Sequence, residues 1–252
     1  MPEILDPRRV SVAAVFAAVA GAWQAFRCCV RPAAGFAAIF VVIGVAIFAL
    51  LIHFGLAPMM LPFAGGFLLV GPAVLAGFFA LHRAVASGRR AAFGDVLEGF
   101  RRAPRGVWGL SAACCLLFLI WVTDAATVYS FMIGGEAQDV AKVARFHGWT
   151  GAMGAVLACI VFNITAFAVP LLLDGRATLV GAVTASVRAV FANPTAMPVW
   201  ALILAVAVIA TILFPPLLLV SLPCLAFASD LLYLQVYPPE KRPAGPQPGE
   251  MK

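Results

Sequence analysis

Long apolar runs alternate with short polar, arginine-rich segments along most of this chain. Several of the apolar runs exceed the roughly 18–20 residues that a helix needs to cross a bilayer. Proline-rich turns join some neighbouring runs, with Pro58 and Pro62 in one turn and Pro215-Pro216 in another. The pattern predicts six spans arranged as three helical hairpins, at residues 33–56, 60–82, 107–133, 149–173, 195–213 and 217–236.

A shorter amphipathic stretch precedes each predicted hairpin, within residues 10–31, 83–106 and 176–193. Apolar positions recur there at spacings of three and four, which places them on one face of a helix. We expect these stretches to form helices that lie at the membrane surface. In the first stretch the apolar stripe consists of Val12, Val15, Phe16, Val19, Trp23 and Phe26.

A proline follows or closes each amphipathic stretch, at Pro32, Pro104 and Pro194. We therefore hypothesise three tandem copies of one building block, packed with pseudo-threefold symmetry; three unrelated hairpins are the alternative. Residues 1–236 are interpreted as one membrane domain, followed by a disordered cytoplasmic tail at 237–252. The three units of this domain are residues 10–82, 88–173 and 176–236.

Composition supports a membrane protein, because 63% of the 252 residues are hydrophobic and only 11% are charged. A soluble domain carries about 25% charged residues. The sequence thus predicts an all-α, polytopic membrane helical bundle with about six transmembrane helices and three interfacial amphipathic helices.

The formal net charge of +6 is distributed unevenly between the loops. Fifteen of the 17 Lys and Arg residues lie on the side of the N-terminus, and only Lys142 and Arg145 lie in the polar segment 134–148 on the other side. Positive residues mark the cytoplasmic side of membrane proteins. We expect a multi-pass protein of the bacterial inner membrane with cytoplasmic N- and C-termini, in contact with the lipid bilayer rather than with nucleic acid.

A few polar residues lie inside the predicted spans, where each is costly and therefore a candidate for function. One interpretation pairs His53 with Asp124 and His82 with Asp230 as two relay steps, with Asn163 between them in a polar path. The alternative is that these side chains only form hydrogen bonds at helix contacts.

No sequence motif indicates a catalytic, cofactor or metal site. The six cysteines include no C-x-x-C pair, and there is no H-E-x-x-H, G-x-S-x-G or phosphate-binding glycine motif. Small residues at four-residue spacing in the fourth span, Gly151, Ala155 and Cys159 among them, predict close helix packing.

Two stretches resemble an uncharacterised family of bacterial integral membrane proteins, domain of unknown function twenty-one eighty-nine (DUF2189). They are Phe63 to Arg83 and Val169 to Ile203, with the segments Pro-Leu-Leu-Leu-Asp and Val-Arg-Ala-Val-Phe-Ala-Asn-Pro. The resemblance covers about residues 15–236 and implies a membrane bundle without assigning an activity. Members of the family usually have histidines in the last span. This chain departs from them, because Cys224 to Tyr233 contains no histidine.

Three function classes follow. A non-enzymatic accessory or scaffold protein, which could bind another membrane protein complex, fits the short loops and few charges within the spans. A small transporter or exporter would use the intramembrane Asp residues. A membrane enzyme acting on lipid would need acid and base residues clustered at one depth.

The first twenty or so residues offer a further test. Arg8-Arg9 and the apolar stretch after them also fit a cleaved signal peptide, although Glu3 and Asp6 oppose a positive leader. We expect the interfacial helix to be retained. Intact mass spectrometry of the purified protein should then give the full-length mass; loss of some twenty residues contradicts the interfacial-helix interpretation.

Overall fold

The computed structural model describes residues 6–67, 71–133 and 139–239, and every regular element within these ranges is helical. This confirms the predicted all-α class. The helices are α1 (Val12–Cys28), α2 (Val30–His53), α3 (Met60–Phe67), α4 (Gly71–Ala86), α5 (Phe93–Arg102), α6 (Arg105–Met132), α7 (Val140–Thr165), α8 (Ala168–Leu173), α9 (Leu179–Ala192), α10 (Ala196–Leu213) and α11 (Leu218–Val236).

Five helical stretches in the described residues are long and apolar enough to cross a membrane. They are α2, α6, α7 together with α8, α10, and α11 together with the short turn before it. The predicted span 60–82 corresponds to α3 and α4, which lie on either side of residues 68–70, outside the described residues. The count of six spans therefore stays a prediction.

The helices pack in a ring in which each predicted unit contacts the next. The amphipathic helices are α1, α5 and α9, one per unit. Helix α4 packs against α5, α7 and α8 pack against α9, and α11 packs against α1. The last unit thus closes onto the first, as a pseudo-threefold arrangement requires, whereas the tandem duplication itself stays a hypothesis. We call the end of the bundle that carries α1, α5 and α9 the basic end.

Helix α1 buries only part of its predicted apolar stripe, with Val15 and Phe26 inside. Phe16 and Trp23 are exposed, while Ala18, Ala22 and Ala25 are buried. The physical reason is close packing against α11, since a Cβ added at Gly21 would lie 3.1 Å from a Leu231 methyl group. Small side chains permit this approach, so the alanines lie in the contact while Phe16 and Trp23 face outward.

Helix α5 also packs closely, against the middle of α4. A Cβ at Gly99 would lie 2.6 Å from the backbone oxygen of Ala76 and 2.8 Å from the Cβ of Ala80. Val96, the buried apolar residue of α5, lies beside Gly77 of α4. Glycine is required at these crossings because any side chain would hold the two helix backbones apart.

The polar segment 134–148 was expected to be a loop, but α7 already begins at Val140. The Asp139 side chain accepts a hydrogen bond from the backbone N–H of Ala141 and caps the helix. His147, predicted to lie in a loop, is therefore helical, and its Nε2 atom lies 3.0 Å from the backbone oxygen of Pro58. Residues 134–138 lie outside the described residues.

The predicted fourth span, 149–173, is also divided, because α7 ends at Thr165 and α8 begins at Ala168. The Ser186 hydroxyl of α9 accepts a hydrogen bond from the backbone N–H of Phe167, between the two helices. Pro170, in the first turn of α8, cannot donate a helix hydrogen bond of its own. An interhelical hydrogen bond and a proline thus lie at the point where the predicted fourth span is interrupted.

Only some of the small residues of α7 form the close helix contact that the sequence predicts. Gly154 packs against the indole of Trp121 at 3.1 Å, measured from an added Cβ. Gly151, Ala155 and Cys159 are exposed. One small-residue face therefore serves helix packing within the chain, and the other lies on its surface.

The crossing of α4 and α5 gives a test with a matched control on one helix. Gly99→Ala should destabilise the protein by about 1–3 kcal/mol, because the new methyl group meets the α4 backbone. Gly94→Ala should be neutral or slightly stabilising, since no atom lies within 4 Å of its added Cβ. Thermal unfolding in detergent measures both; equal melting temperatures for the two variants would contradict the close packing.

Candidate functional site

A cluster of polar side chains connects three helices at the basic end. Helix α4 supplies His82 and Arg83, and α11 supplies Asp230 and Tyr233. Asp174 and Arg176 follow α8. The return segments of all three predicted hairpins end at the basic end, so residues at or just after the ends of α4, α8 and α11 meet in this cluster. We call these six residues the basic-end network.

Asp230 is almost completely buried, as is Tyr233. Its Oδ2 atom lies 2.7 Å from Nδ1 of His82, and its Oδ1 atom accepts a hydrogen bond of 3.2 Å from Arg83. The His82 ring stacks on Phe227 with the ring centroids 5.4 Å apart. The carboxylate of α11 is therefore held by two consecutive residues of α4.

Arg83 bridges two carboxylates, Asp230 on α11 and Asp174 just after α8. One guanidinium nitrogen contacts Asp230, and the other lies 2.7 Å from Oδ1 of Asp174. The second oxygen of Asp174 accepts a 2.6 Å hydrogen bond from the Tyr233 hydroxyl. The planar guanidinium group, with several donors in fixed directions, suits such a bridge.

Arg176 extends the basic-end network toward the end of α11. It donates hydrogen bonds to the backbone oxygen of Tyr237 at 2.9 Å and to the Tyr233 hydroxyl at 3.3 Å. The Tyr237 hydroxyl donates to the backbone oxygen of Ala185. Burial raises the pKa of Tyr237 to about 12, so the hydroxyl keeps the proton that it donates. Tyr237, assigned to the tail by the sequence, packs in the core instead, while residues 240–252 lie outside the described residues.

Asn193 ties the N-terminal segment to the same end of the bundle. Its Oδ1 atom accepts a 2.6 Å hydrogen bond from the backbone N–H of Val10, and its Nδ2 atom donates to the oxygen of Ala189. The backbone N–H of Arg8 donates to the oxygen of Val236. The chain before α1 is thus held against both α9 and α11.

Every carboxylate oxygen of Asp230 and Asp174 has a partner within the chain. Asp230 contacts His82 and Arg83, and Asp174 contacts Arg83 and Tyr233. A carboxylate that already accepts these bonds has its charge balanced in place. The chemistry of the basic-end network is therefore that of a cross-link between helices.

The structure brings together one of the two residue pairs considered from the sequence. His82 and Asp230 are in contact, whereas His53 and Asp124 both lie exposed and do not meet. Within residues 6–67, 71–133 and 139–239, Asp124 has no hydrogen-bond or ion-pair partner. The two Asp residues inside the predicted spans thus have opposite surroundings.

Asn163 contacts neither pair. Its Nδ2 atom donates to the backbone oxygen of Cys159 one turn earlier, and its own backbone oxygen accepts a hydrogen bond from Ser186. Its Oδ1 atom is buried without a partner among the described residues. These contacts join α7 to α9, as a packing role for Asn163 requires.

Sequence reasoning missed several members of this site. The missed residues lie at or near helix ends, where a polar side chain does not by itself indicate a site. They are Asp174, Arg176, Asn193, Tyr233 and Tyr237. A signal was nevertheless present, because Asp174 and Asn193 each belong to one of the two segments on which the family resemblance rests. Among the residues that the structure describes, no three His, Cys, Asp or Glu side chains are grouped to hold a metal ion.

Removing one buried partner should reveal how much the cross-link stabilises the fold. Asp230→Ala leaves His82 without its carboxylate and Arg83 with one partner, so we expect a loss of about 3 kcal/mol in stability. Glu98→Ala removes the carboxylate of an exposed ion pair with Arg102 and should change stability by less than about 0.5 kcal/mol. Denaturation in mild detergent compares them, and equal effects would contradict a cross-linking role for Asp230.

No curated protein matches this chain, and no solved structure matches it either. A family model described as "Predicted integral membrane protein (DUF2189)" matches residues 59–174. This range contains the first quoted stretch, Phe63 to Arg83, and the Pro-Leu-Leu-Leu-Asp segment that ends at Asp174. The resemblance inferred from the sequence is thus confirmed over residues 59–174, where the chain is similar to the DUF2189 family of predicted integral membrane proteins, and its wider extent over residues 15–236 stays a prediction.

Proposed function

We propose that this integral membrane protein is a non-enzymatic accessory or scaffold protein of the bacterial inner membrane. The observation that supports this most directly is the use of charge in the basic-end network. Arg83 joins the buried Asp230 to Asp174, so these charges hold the ends of α4, α8 and α11 in one arrangement. A fixed arrangement of helices is what a protein needs when it presents a surface to a partner.

The same contacts weigh against the transporter alternative, at least for Asp230. A carrier carboxylate must exchange its partner for an ion or substrate during each cycle. Asp230 has both oxygens engaged and no accessible surface, so releasing it would require separating α4 from α11. Asp124 faces away from the interior of the bundle, where a transport path would run.

The proposed orientation places the basic end in the cytoplasm. Arginines of all three amphipathic segments are exposed there, among them Arg27, Arg101 and Arg188. Positive side chains are retained on the cytoplasmic side and meet the anionic lipid surface of that leaflet. Both described chain ends, near Asp6 and Pro239, approach the same end of the bundle.

The test is affinity purification from native membranes in mild detergent, with mass spectrometry and an absorption spectrum on the same sample. We expect a stoichiometric membrane complex to accompany the wild-type chain, and a Soret band would assign that complex to a haem system. Asp230→Asn serves as the comparison, because it keeps the shape of the side chain and removes its charge.

The two models differ in what Asp230→Asn changes. A scaffold should lose thermal stability together with its bound complex. A transporter should keep its fold and lose only transport. A colourless chain that is purified alone, with unchanged stability in the variant, would overturn the scaffold proposal and favour transport.

A further inference from the structure

We propose that the outward side of α5, together with the first turn of α6, binds the headgroup of an anionic phospholipid. The proposal goes beyond the scaffold function and does not depend on it. It begins from a surface on which apolar side chains and unpaired arginines lie close together. We call this the α5 surface, and each of its members is exposed: Phe93, Leu97, Arg101, Arg105 and Trp108.

Helix α5 has one side packed inside the protein and another turned outward. Val96 is buried, and Gly99 lies against the backbone of α4. Phe93, Leu97 and Arg101 recur at a spacing of four, which places them together on the outward side. Phe93 and Leu97 remain 44% and 56% exposed. The packed side fixes the helix on the bundle, and the outward side is left to contact other molecules.

The first turn of α6 continues the α5 surface. The Phe100 ring of α5 lies 6.4 Å from the Trp108 ring of α6 and 5.8 Å from the Phe36 ring of α2, measured between ring centroids. These contacts hold the end of α5 beside the start of α6. Trp108 is 49% exposed, and Arg105, three positions earlier, is exposed as well. Arg101 and Arg105 therefore lie on either side of the junction between the two helices.

The arginines around α5 outnumber the acidic residues that could balance them. Residues 84–108 contain five arginines and two acidic residues. Both acidic residues are already paired, Asp95 with Arg89 and Glu98 with Arg102. The three other arginines are exposed and have no ion-pair partner in the part of the chain that the structure describes: Arg90, Arg101 and Arg105. The α5 surface thus carries positive charge that calls for an anion from outside the chain.

The α5 surface adjoins a helix that is long and apolar enough to cross a membrane. That helix, α6, begins at Arg105, so Arg105 and Trp108 occupy the first turn of a candidate span. Tryptophan is enriched at the headgroup level of membrane proteins, and arginines next to a span meet anionic lipid there. The position of these residues at the start of α6 therefore favours contact with phosphate groups.

An anionic phospholipid fits both parts of this surface. A guanidinium group can bind a phosphate through two parallel hydrogen bonds, and the apolar Phe93 and Leu97 can pack at the boundary of the acyl chains. A soluble polyanion would pair with the arginines but leave these apolar side chains in water. A zwitterionic phospholipid carries a cation of its own beside the phosphate, and that cation competes with the arginines. Lipid with a net negative charge is therefore the preferred ligand.

Site-directed photo-crosslinking measures which lipid contacts the α5 surface. The full-length chain carries benzoylphenylalanine in place of Leu97, or in place of Leu116 as the reference, in vesicles of equal parts phosphatidylglycerol and phosphatidylcholine. Leu116 is 59% exposed and lies three turns beyond Arg105 in α6. We expect the ratio of captured phosphatidylglycerol to phosphatidylcholine to be about fivefold higher at position 97, the effect of one arginine at an anionic surface.

Arginine variants with a matched control identify the charges responsible. Arg101→Gln and Arg105→Gln should each bring the ratio at position 97 most of the way to the ratio at position 116, because each removes an unpaired cation. Arg102→Gln removes the same charge one residue away, but that arginine is paired with Glu98, so its effect should be clearly smaller. All three side chains are exposed, and thermal unfolding should show that each variant keeps its fold.

The outcomes decide between a lipid site and its alternatives. Equal lipid ratios at positions 97 and 116 in the otherwise wild-type chain overturn the proposal. Equal losses in all three arginine variants also overturn it, because net charge rather than a site would then set the preference. Cross-linking in native membranes should likewise capture lipid at position 97, and capture of another polypeptide there would make the α5 surface a protein interface. None of these results affects the co-purification that tests the scaffold function.

Discussion

The Arg83 guanidinium group, held between Asp230 and Asp174, is the interaction on which the rest of this structure depends. It joins the ends of all three return segments, while His82 and Tyr233 satisfy the remaining carboxylate oxygens. A buried ion pair adds little net stability compared with apolar packing, but leaving one partner alone is costly. The cross-link therefore acts mainly by making one arrangement of the helices much better than its alternatives.

Close backbone packing allows those charges to meet. Helix α4 approaches α5 through Gly99, and α11 approaches α1 beside Gly21. Membrane helices gain no hydrophobic free energy from leaving lipid, so small residues that permit dense contact contribute much of their attraction. This explains why α1 buries its alanines and directs Phe16 and Trp23 outward. Large apolar side chains can remain in contact with lipid at no cost.

The two aspartates inside the predicted spans have opposite surroundings in this fold. Asp230 lies where three units meet, and the chain itself balances its charge. Asp124 lies exposed on the outside of α6 and has no hydrogen-bond or ion-pair partner among the described residues. The proposed scaffold function draws on the first of these two surroundings, because a cross-linked interior fixes the arrangement of the helices. The matched DUF2189 region, residues 59–174, contains α6 and Asp124 as well as Arg83 and Asp174.

The sequence by itself determined the helical class, the positions of most helices and the basic end, because hydrophobic length and arginine placement are local properties of a chain in a bilayer. It also singled out His82 and Asp230 as one candidate pair of polar residues within the spans. Only the tertiary structure decided which face of α1 is buried, that α7 begins at Val140, and that Asp174 and Tyr233 join the basic-end network. These features depend on contacts between residues far apart in sequence. Because lipid accepts any apolar helix face equally, the hydropathy of the sequence carries no information about which face packs inside the protein.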